Sequence, residues 1–187
     1  MILDVYGIDT KTILASIWII GLVIGLAVQD TLRDFLSGLF IILDNQYSVG
    51  DNVMINGFRG NVINLGLKTT RIKAYTGEVK IIANRNIMEV TNYSKENSLA
   101  IVDISVSHNS NLEKTEKVLN ELCERLGREL SKIKGPVKLL GVNKISQTAI
   151  EYRITVETIP LSNIEVENEI KLAAKEFLEK NKIEIIY

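Results

Sequence analysis

The sequence predicts a membrane helix with a bend, then a small all-β domain, then an α+β domain with a ferredoxin-like order of elements. Three observations predict this order: a charge-free apolar run near the start, short strands between turn residues in the middle, and alternating strand and helix patterns at the end. Of the 187 residues, 46% are hydrophobic and 24% are charged, so we expect most of the chain to fold.

The apolar run, Ile13–Val28, contains no charged residue. As a helix it would reach about 24 Å, short of the roughly 30 Å hydrocarbon core, so it predicts a marginal membrane span. A second apolar run, Phe35–Leu43, follows after three charged residues that are costly to place in lipid. Two interpretations stay open. One is a buried helix of a soluble core, and the other is a membrane helix, a bend and an interfacial helix.

The bend is predicted from a helix-capping pattern. Asp30 and Thr31 are favourable N-cap residues, and an acid three positions after Thr31 completes a capping box. A helix that begins here implies that the first helix ends near Gln29. Within the first helix, Gly21 and Gly25 have the GxxxG spacing that lets helices approach closely in lipid, although ordinary helix packing also uses it.

Short strands separated by turn residues are predicted for the next 50 or so residues. The pairs Asn56-Gly57 and Thr76-Gly77 predict tight turns between strands. Five short strands in this length predict a small, strongly bent, barrel-like sheet.

From Leu99 onward the pattern predicts the order β-α-β-β-α-β, which is ferredoxin-like. Capping boxes at Ser110–Glu113 and Ser162–Glu165 predict where the two helices begin. The last strand is predicted at Ile183–Tyr187.

No catalytic or metal-binding constellation is visible in the sequence. The only cysteine, Cys123, is predicted to be buried, and the only histidine, His108, is predicted to lie in a surface turn. Lys and Arg number 22 against 23 Asp and Glu, a net charge of -1 that argues against a general nucleic-acid binder. We therefore expect no enzyme activity, no cofactor, no metal ion and no nucleic-acid partner.

Several strings in the sequence together resemble the small-conductance mechanosensitive channel (MscS) family. They are Gly21–Asp44, Tyr47–Val53, Gly60–Ile63, Thr69–Arg71 and Asn92–Ser94. The resemblance implies a pore-lining transmembrane helix in residues 1–29 and an amphipathic helix after a kink in 30–43. It also implies a small Sm-like β domain in 44–93 and an α/β vestibule domain in 94–187.

The resemblance also implies site residues: Leu22 and Leu26 in the pore constriction, Gly21 and Gly25 in helix packing, and Gln29, Asp30 and Thr31 at the kink. The implied activity is that of an ion channel opened by membrane tension, which passes ions and small solutes for osmotic protection. The implied assembly is a homoheptamer whose partners are its own copies and the lipid bilayer. The implied location is the cell membrane, with several membrane passes in the full-length family and a cytoplasmic carboxyl-terminal region.

The sequence departs from the family in several places. Asp30 stands where family members often have glycine, and bulky Trp18, Ile19 and Val23 stand where small residues are expected. The family's two amino-terminal tension-sensing helices have no counterpart, so we expect a fragment or a short member. The chain stops about where the family's final barrel strand would begin, so an open vestibule base is expected.

Two other functions stay open at this point. One is a soluble Sm-like RNA-binding module fused to a ferredoxin-like domain, which would leave the apolar run Ile13–Val28 unexplained. The other is a structural, membrane-associated scaffold.

Overall fold

The structure, a computed structural model, describes residues 10–186, with only the backbone described at Thr10 and Thr12. The chain divides into two compact units, residues 1–92 and 93–187. The first contains α1 (Thr10–Leu43), β1 (Asn52–Ile55), β2 (Phe58–Leu65), β3 (Thr69–Lys73), β4 (Val79–Ala83), a short 3-10 helix (Asn84–Asn86) and β5 (Val90–Asn92). The second contains β6 (Ser98–Ser107), α2 (Leu112–Glu129), β7 (Lys138–Ile145), β8 (Ala149–Thr158) and α3 (Asn163–Lys180).

One continuous helix, α1, takes the place of the two predicted helices. It covers 34 residues, so the expected helix end at Gln29 and the expected caps at Asp30 and Thr31 are wrong. The physical reason is that no proline interrupts the backbone hydrogen bonds here, and the Asp30 carboxylate pairs with Arg85 instead of capping a helix. The first nine residues of the predicted segment 1–29 lie outside the described residues.

The β strands of the first unit form one antiparallel sheet in the order β4-β3-β2-β1-β5. Both predicted tight turns are confirmed. Ile55 pairs with Phe58 across a turn in which Asn56 and Gly57 have positive φ, and Gly77 has positive φ in the turn between β3 and β4. A register shift after Val62 bends β2.

The core of the first unit joins the carboxyl-terminal part of α1 to the sheet. Its buried apolar side chains come from α1, from the segment that follows it and from β1 to β4. They are Ile41, Tyr47, Val53, Ile55, Val62, Ile72 and Ile82. This core fixes the end of α1 on the five-stranded sheet. We call the strands β1 to β5 and the loops between them the β unit.

The second unit has a three-stranded antiparallel sheet in the order β6-β8-β7, with one buried face that packs against α2 and α3. The strands β7 and β8 pair in the predicted order, and α2 and α3 begin inside the predicted capping boxes. Cys123 is buried and His108 is exposed, as predicted. The predicted last strand is reduced to a single bridge between Ile185 and Val106, and Tyr187 lies outside the described residues.

The caps of α2 and α3 differ from the predicted capping boxes. The N-cap of α2 is Asn111 rather than Ser110, and its side-chain oxygen accepts a hydrogen bond from the Lys114 N–H at 2.9 Å. Because the side-chain oxygen of Asn111 accepts from a free N–H of the first turn, the N-cap lies one residue after the predicted position at Ser110. Ser162 occupies the N-cap of α3, but its side chain makes no capping hydrogen bond.

We predict that Asn111→Ala destabilises α2 by about 1 kcal/mol, because one N–H of the first turn loses its acceptor. Hydrogen exchange of the α2 amides measures the change in opening free energy. Ser110→Ala is the matched control and is expected to change it by less than about 0.5 kcal/mol. An equal effect of both substitutions would show that the cap is not at Asn111.

Candidate pore helix and its anchor on the β unit

The side chains in the amino-terminal two thirds of α1 are not buried in the single chain. Every described side chain from Lys11 to Arg33 is exposed. Leu22 and Leu26 lie one turn apart on the same side of the helix, with 64% and 62% of their surface exposed, and Ile24 on another side is 57% exposed. No described atom lies within 4 Å of a Cβ built on Gly21 or Gly25. The leucine stripe and the glycine face are therefore open to a partner.

The carboxyl-terminal third of α1 is anchored on the β unit by one face. Asp34, Gly38 and Ile41 are buried there, and their spacing of four and three residues puts them on one side of the helix. The helix thus has two parts that differ in what they contact, although its secondary structure is unbroken.

Gly38 sits where the helix comes closest to the loop between β2 and β3. A Cβ atom at residue 38 would lie 2.2 Å from the carbonyl oxygen of Leu67 and 2.4 Å from Nδ2 of Asn84. Real side chains do not approach so closely, so only glycine allows the helix to sit at this depth.

A chain of buried polar groups supports the loop against which Gly38 packs. The Tyr47 hydroxyl lies 2.9 Å from Oγ1 of Thr70, and the Thr70 hydroxyl donates to Oδ1 of Asn84 at 2.9 Å. Because Thr70 has one hydroxyl proton and gives it to Asn84, Tyr47 must be the donor to Thr70. Nδ2 of Asn84 then donates to the carbonyl oxygens of Gly66 at 2.8 Å and Leu67 at 2.9 Å.

This buried chain is fully satisfied and therefore rigid. Tyr47, Thr70 and Asn84 are each no more than 1% exposed. Burial raises the pKa of the Tyr47 hydroxyl above its ordinary value, so it stays a protonated donor at physiological pH.

Arg85, the residue after Asn84, meets two acids of α1. Its Nη1 lies 2.7 Å from Oδ2 of Asp30 and its Nε lies 3.8 Å from Oδ1 of Asp34. The backbone N–H of Arg85 also donates to Oδ1 of Asp34 at 3.2 Å. The Asp34 side chain is 4% exposed, whereas the Asp30 side chain is 70% exposed. A buried carboxylate needs such compensation far more than an exposed one.

The sequence-predicted site residues thus fall into two groups. Gly21, Leu22, Gly25 and Leu26 lie on the exposed part of α1, and no described residue contacts their proposed functional faces. Among the predicted kink residues, the structure places Asp30 against Arg85 and leaves the side chains of Gln29 and Thr31 exposed.

Sequence reasoning missed the anchor residues, namely Asp34, Gly38, Tyr47, Thr70, Asn84 and Arg85. One signal was available: Asp30 and Asp34 are one turn apart beside apolar runs, a placement that calls for a cation elsewhere in the chain. The sequence does not show which of its 22 basic residues supplies that cation.

Comparison with known proteins identifies the family. The family model described as "Mechanosensitive ion channel, beta-domain" matches residues 30–95. The model described as "Mechanosensitive ion channel MscS, C-terminal" matches residues 100–185. A small-conductance mechanosensitive channel of Caldanaerobacter subterraneus subsp. tengcongensis is 33% identical over 187 residues, which cover 100% of this chain and 66% of that relative. The chain belongs to the MscS family of mechanosensitive channels.

Another relative is less similar over a shorter part of the chain. The small-conductance mechanosensitive channel MscMJ of Methanocaldococcus jannaschii is 27% identical over 124 residues, 63% of this chain and 35% of that relative. The chain spans at most 66% of the length of these two relatives. The family consists of membrane channels rather than enzymes. Membership in it does not favour the alternative interpretation of the chain as an RNA-binding module.

Two solved structures have the same fold. The crystal structure of Helicobacter pylori MscS in a closed state matches with a TM-score of 0.75 at 21% identity, covering 99% of this chain and 74% of that one. The cryo-EM structure of Arabidopsis thaliana MSL1 matches with a TM-score of 0.70 at 22% identity, covering 97% and 68%. Within the described residues, the shared fold contains an apolar helix that is followed by β sheets.

We predict that Gly38→Ala weakens the seat of α1 on the β unit by about 1–3 kcal/mol, because the added methyl group forces the helix away from the Leu67 carbonyl. Hydrogen exchange of residues 34–43 and 66–68 is expected to rise. Gly127→Ala in α2 is the matched control, since a methyl group there meets no described atom within 4 Å and Gly127 is not among the proposed site residues. Unchanged exchange in Gly38→Ala would refute the close approach.

Proposed function

We propose that this chain forms the pore and the cytoplasmic region of an ion channel that membrane tension opens, and that it passes ions and small solutes for osmotic protection. The observation that carries the proposal is the exposed apolar part of α1, followed along the chain by two segments that the MscS family models match. A stripe of exposed apolar residues of this length is unfavourable in water and suited to lipid or to neighbouring helices.

The membrane span is the first feature of this proposal. Within residues 10–186, one helical stretch is long and apolar enough to cross a membrane, Ile13–Leu43. Residues 13–29 of this stretch reach about 26 Å before the first acid. We place the pore-lining part in residues 1–29 and the part that lies on the β unit in residues 30–43. The remaining chain, 44–187, is cytoplasmic in this proposal, and the full-length channel crosses the cell membrane several times.

The two following units support the finer fold assignments. The sheet order β4-β3-β2-β1-β5 of a small, bent antiparallel sheet supports an Sm-like β domain in residues 44–93. In residues 94–187, the order β6-β8-β7 with the Ile185 bridge beside β6 supports a ferredoxin-like domain. Neither assignment implies nucleic-acid binding, because the fold alone does not determine function.

The proposed gate consists of two leucine rings. In a symmetric ring of helices, Leu22 and Leu26 of each subunit face the axis and repeat once per subunit. A narrow apolar throat expels water, and an ion cannot shed its hydration there, so the channel is closed until the helices separate. The gate needs no ligand and no energy source other than membrane tension.

We predict a homoheptamer in mild detergent, with a mass seven times the 20.9 kDa of the chain. The reason is that the Gly21 and Gly25 face is unfilled in one chain and suits close helix packing. Native mass spectrometry measures the number of subunits. A uniform monomer in several mild detergents would contradict the proposed ring.

We predict that Leu22→Ser or Leu26→Ser wets the constriction, so that reconstituted patches leak at rest or open at lower suction. Patch-clamp recording under stepwise suction measures the resting current and the midpoint suction. Ile24→Ser is the matched control, since Ile24 is similarly exposed but points to another side of α1.

If Leu22 and Leu26 face lipid or another helix instead, the leucine variants would lower the yield of assembled protein and leave the resting current unchanged. That result would remove the gate assignment and leave the family assignment intact.

A further inference from the structure

We infer that Asn56 is a site of spontaneous chemical modification, at which the side-chain amide is lost through attack by the backbone nitrogen of Gly57. The two residues form the tight turn between β1 and β2, and both are exposed. Of the asparagines in the sequence, only Asn56 is followed by glycine. The inference does not depend on the proposed function, because the reaction needs neither a membrane nor channel activity.

The reaction is an intramolecular substitution followed by hydrolysis. The backbone nitrogen of Gly57 gives its proton to hydroxide and attacks Cγ of Asn56, so that a new N–Cγ bond forms. The Cγ–Nδ2 bond breaks, and the amide nitrogen takes a proton from water and leaves as ammonia. One water molecule then opens the resulting succinimide ring. Attack at Cγ gives aspartate, and attack at the backbone carbonyl carbon gives isoaspartate, in which the main chain runs through Cβ and Cγ.

The attacking nitrogen of Gly57 is accessible in the folded turn. Glycine has no side chain to obstruct it, and no described atom lies within 4 Å of a Cβ built on Gly57. Within residues 10–186, the Gly57 N–H donates to no described backbone oxygen. Hydroxide can therefore remove its proton without the loss of a backbone hydrogen bond.

One hydrogen bond restrains the side chain of Asn56. Its Nδ2 donates to the backbone oxygen of Asn86, in the short 3-10 helix, at 2.9 Å. This hydrogen bond is exposed, so water can replace it while the side chain turns towards Gly57. The restraint slows the reaction and does not prevent it.

Asn109 provides an internal comparison, because it is also exposed but differs at the attacking nitrogen. The next residue is Ser110, whose side chain obstructs the approach to its backbone nitrogen. The Ser110 N–H also donates to the backbone oxygen of Ser107 at 2.9 Å. An exposed asparagine alone is therefore not enough, and the structure distinguishes Asn56 by the residue that follows it.

Modification at Asn56 removes one contact and lengthens the turn. Both products carry a carboxylate in place of the amide donor, and a carboxylate repels the Asn86 carbonyl oxygen. Isoaspartate also adds a backbone atom to a two-residue turn in which both residues have positive φ. Ile55, which pairs with Phe58 across this turn, is fully buried. We therefore expect modification to loosen this end of the β1 and β2 pair.

The test incubates the purified full chain in detergent at neutral and at mildly alkaline pH, while circular dichroism checks that it stays folded. Samples are digested at acidic pH, and mass spectrometry detects the mass gained when NH2 is replaced by OH. We expect the Asn56 peptide to gain this mass several-fold faster than the Asn109 peptide and to give two separable products. The rate is expected to rise with pH, because hydroxide starts the reaction.

Two variants make the assignment specific. Asn56→Gly removes the reacting amide and keeps a residue that adopts positive φ, so the mass gain at this turn should disappear. Asn109→Gly is the matched control and should leave the gain at Asn56 unchanged. An Asn56 peptide that reacts no faster than the Asn109 peptide would overturn the inference. A gain that occurs only after the chain has been denatured would also overturn it.

Hydrogen exchange measures the structural consequence. Exchange of residues 53–58 is expected to rise when wild-type protein ages and to stay unchanged when Asn56→Gly ages. Fresh Asn56→Asp supplies the carboxylate without the longer backbone, so its exchange should rise less than that of aged wild type. If aged wild type is modified but exchanges as fresh protein does, the loosening of the strand pair is refuted. An equal rise in Asn56→Asp and in aged wild type would refute the effect of the longer backbone.

Discussion

The close approach of α1 to the β unit at Gly38 is the constraint on which the described first unit depends. No larger residue fits between the helix backbone, the Leu67 carbonyl and the Asn84 amide. Once the helix is at this depth, Ile41 reaches the apolar core and Asp34 is enclosed. Enclosure of a carboxylate in turn requires a donor, and the N–H and guanidinium of Arg85 provide it. The burial of Asp34 and its pairing with Arg85 therefore both depend on the close approach of the helix at Gly38.

Local patterns predicted much of the fold. Strand alternation, the turn pairs Asn56-Gly57 and Thr76-Gly77, and the positions of α2 and α3 follow from neighbouring residues, and the structure confirms them. Such features depend on periods of two or 3.6 residues and on backbone conformations that glycine and asparagine allow. Caps were predicted less well, since Asn111 and Ser110 are both acceptable N-cap residues and only the geometry of the turn decides between them.

The anchor could not be predicted because its partners are far apart in sequence. Asp30 and Thr31 satisfy the rules for a helix start, and the absence of a proline in this stretch permits a continuous helix without requiring one. The carboxylate of Asp30 instead forms an ion pair with Arg85, 55 positions later in the chain. Asp34 pairs with the same arginine. Pairing over such a distance becomes visible only when the strands between them have been placed.

The boundary near residue 30 is therefore one of environment and not of secondary structure. Before it, the described side chains of α1 are exposed in the single chain. After it, residues 34, 38 and 41 on one face of the helix are buried against the β unit. A continuous helix transmits displacement along its axis more directly than two helices joined by a flexible bend. The anchored face begins at Asp34, about 12 Å along the helix after Leu26. The two acids that suggested a helix break in the sequence instead lie against Arg85 on an unbroken helix.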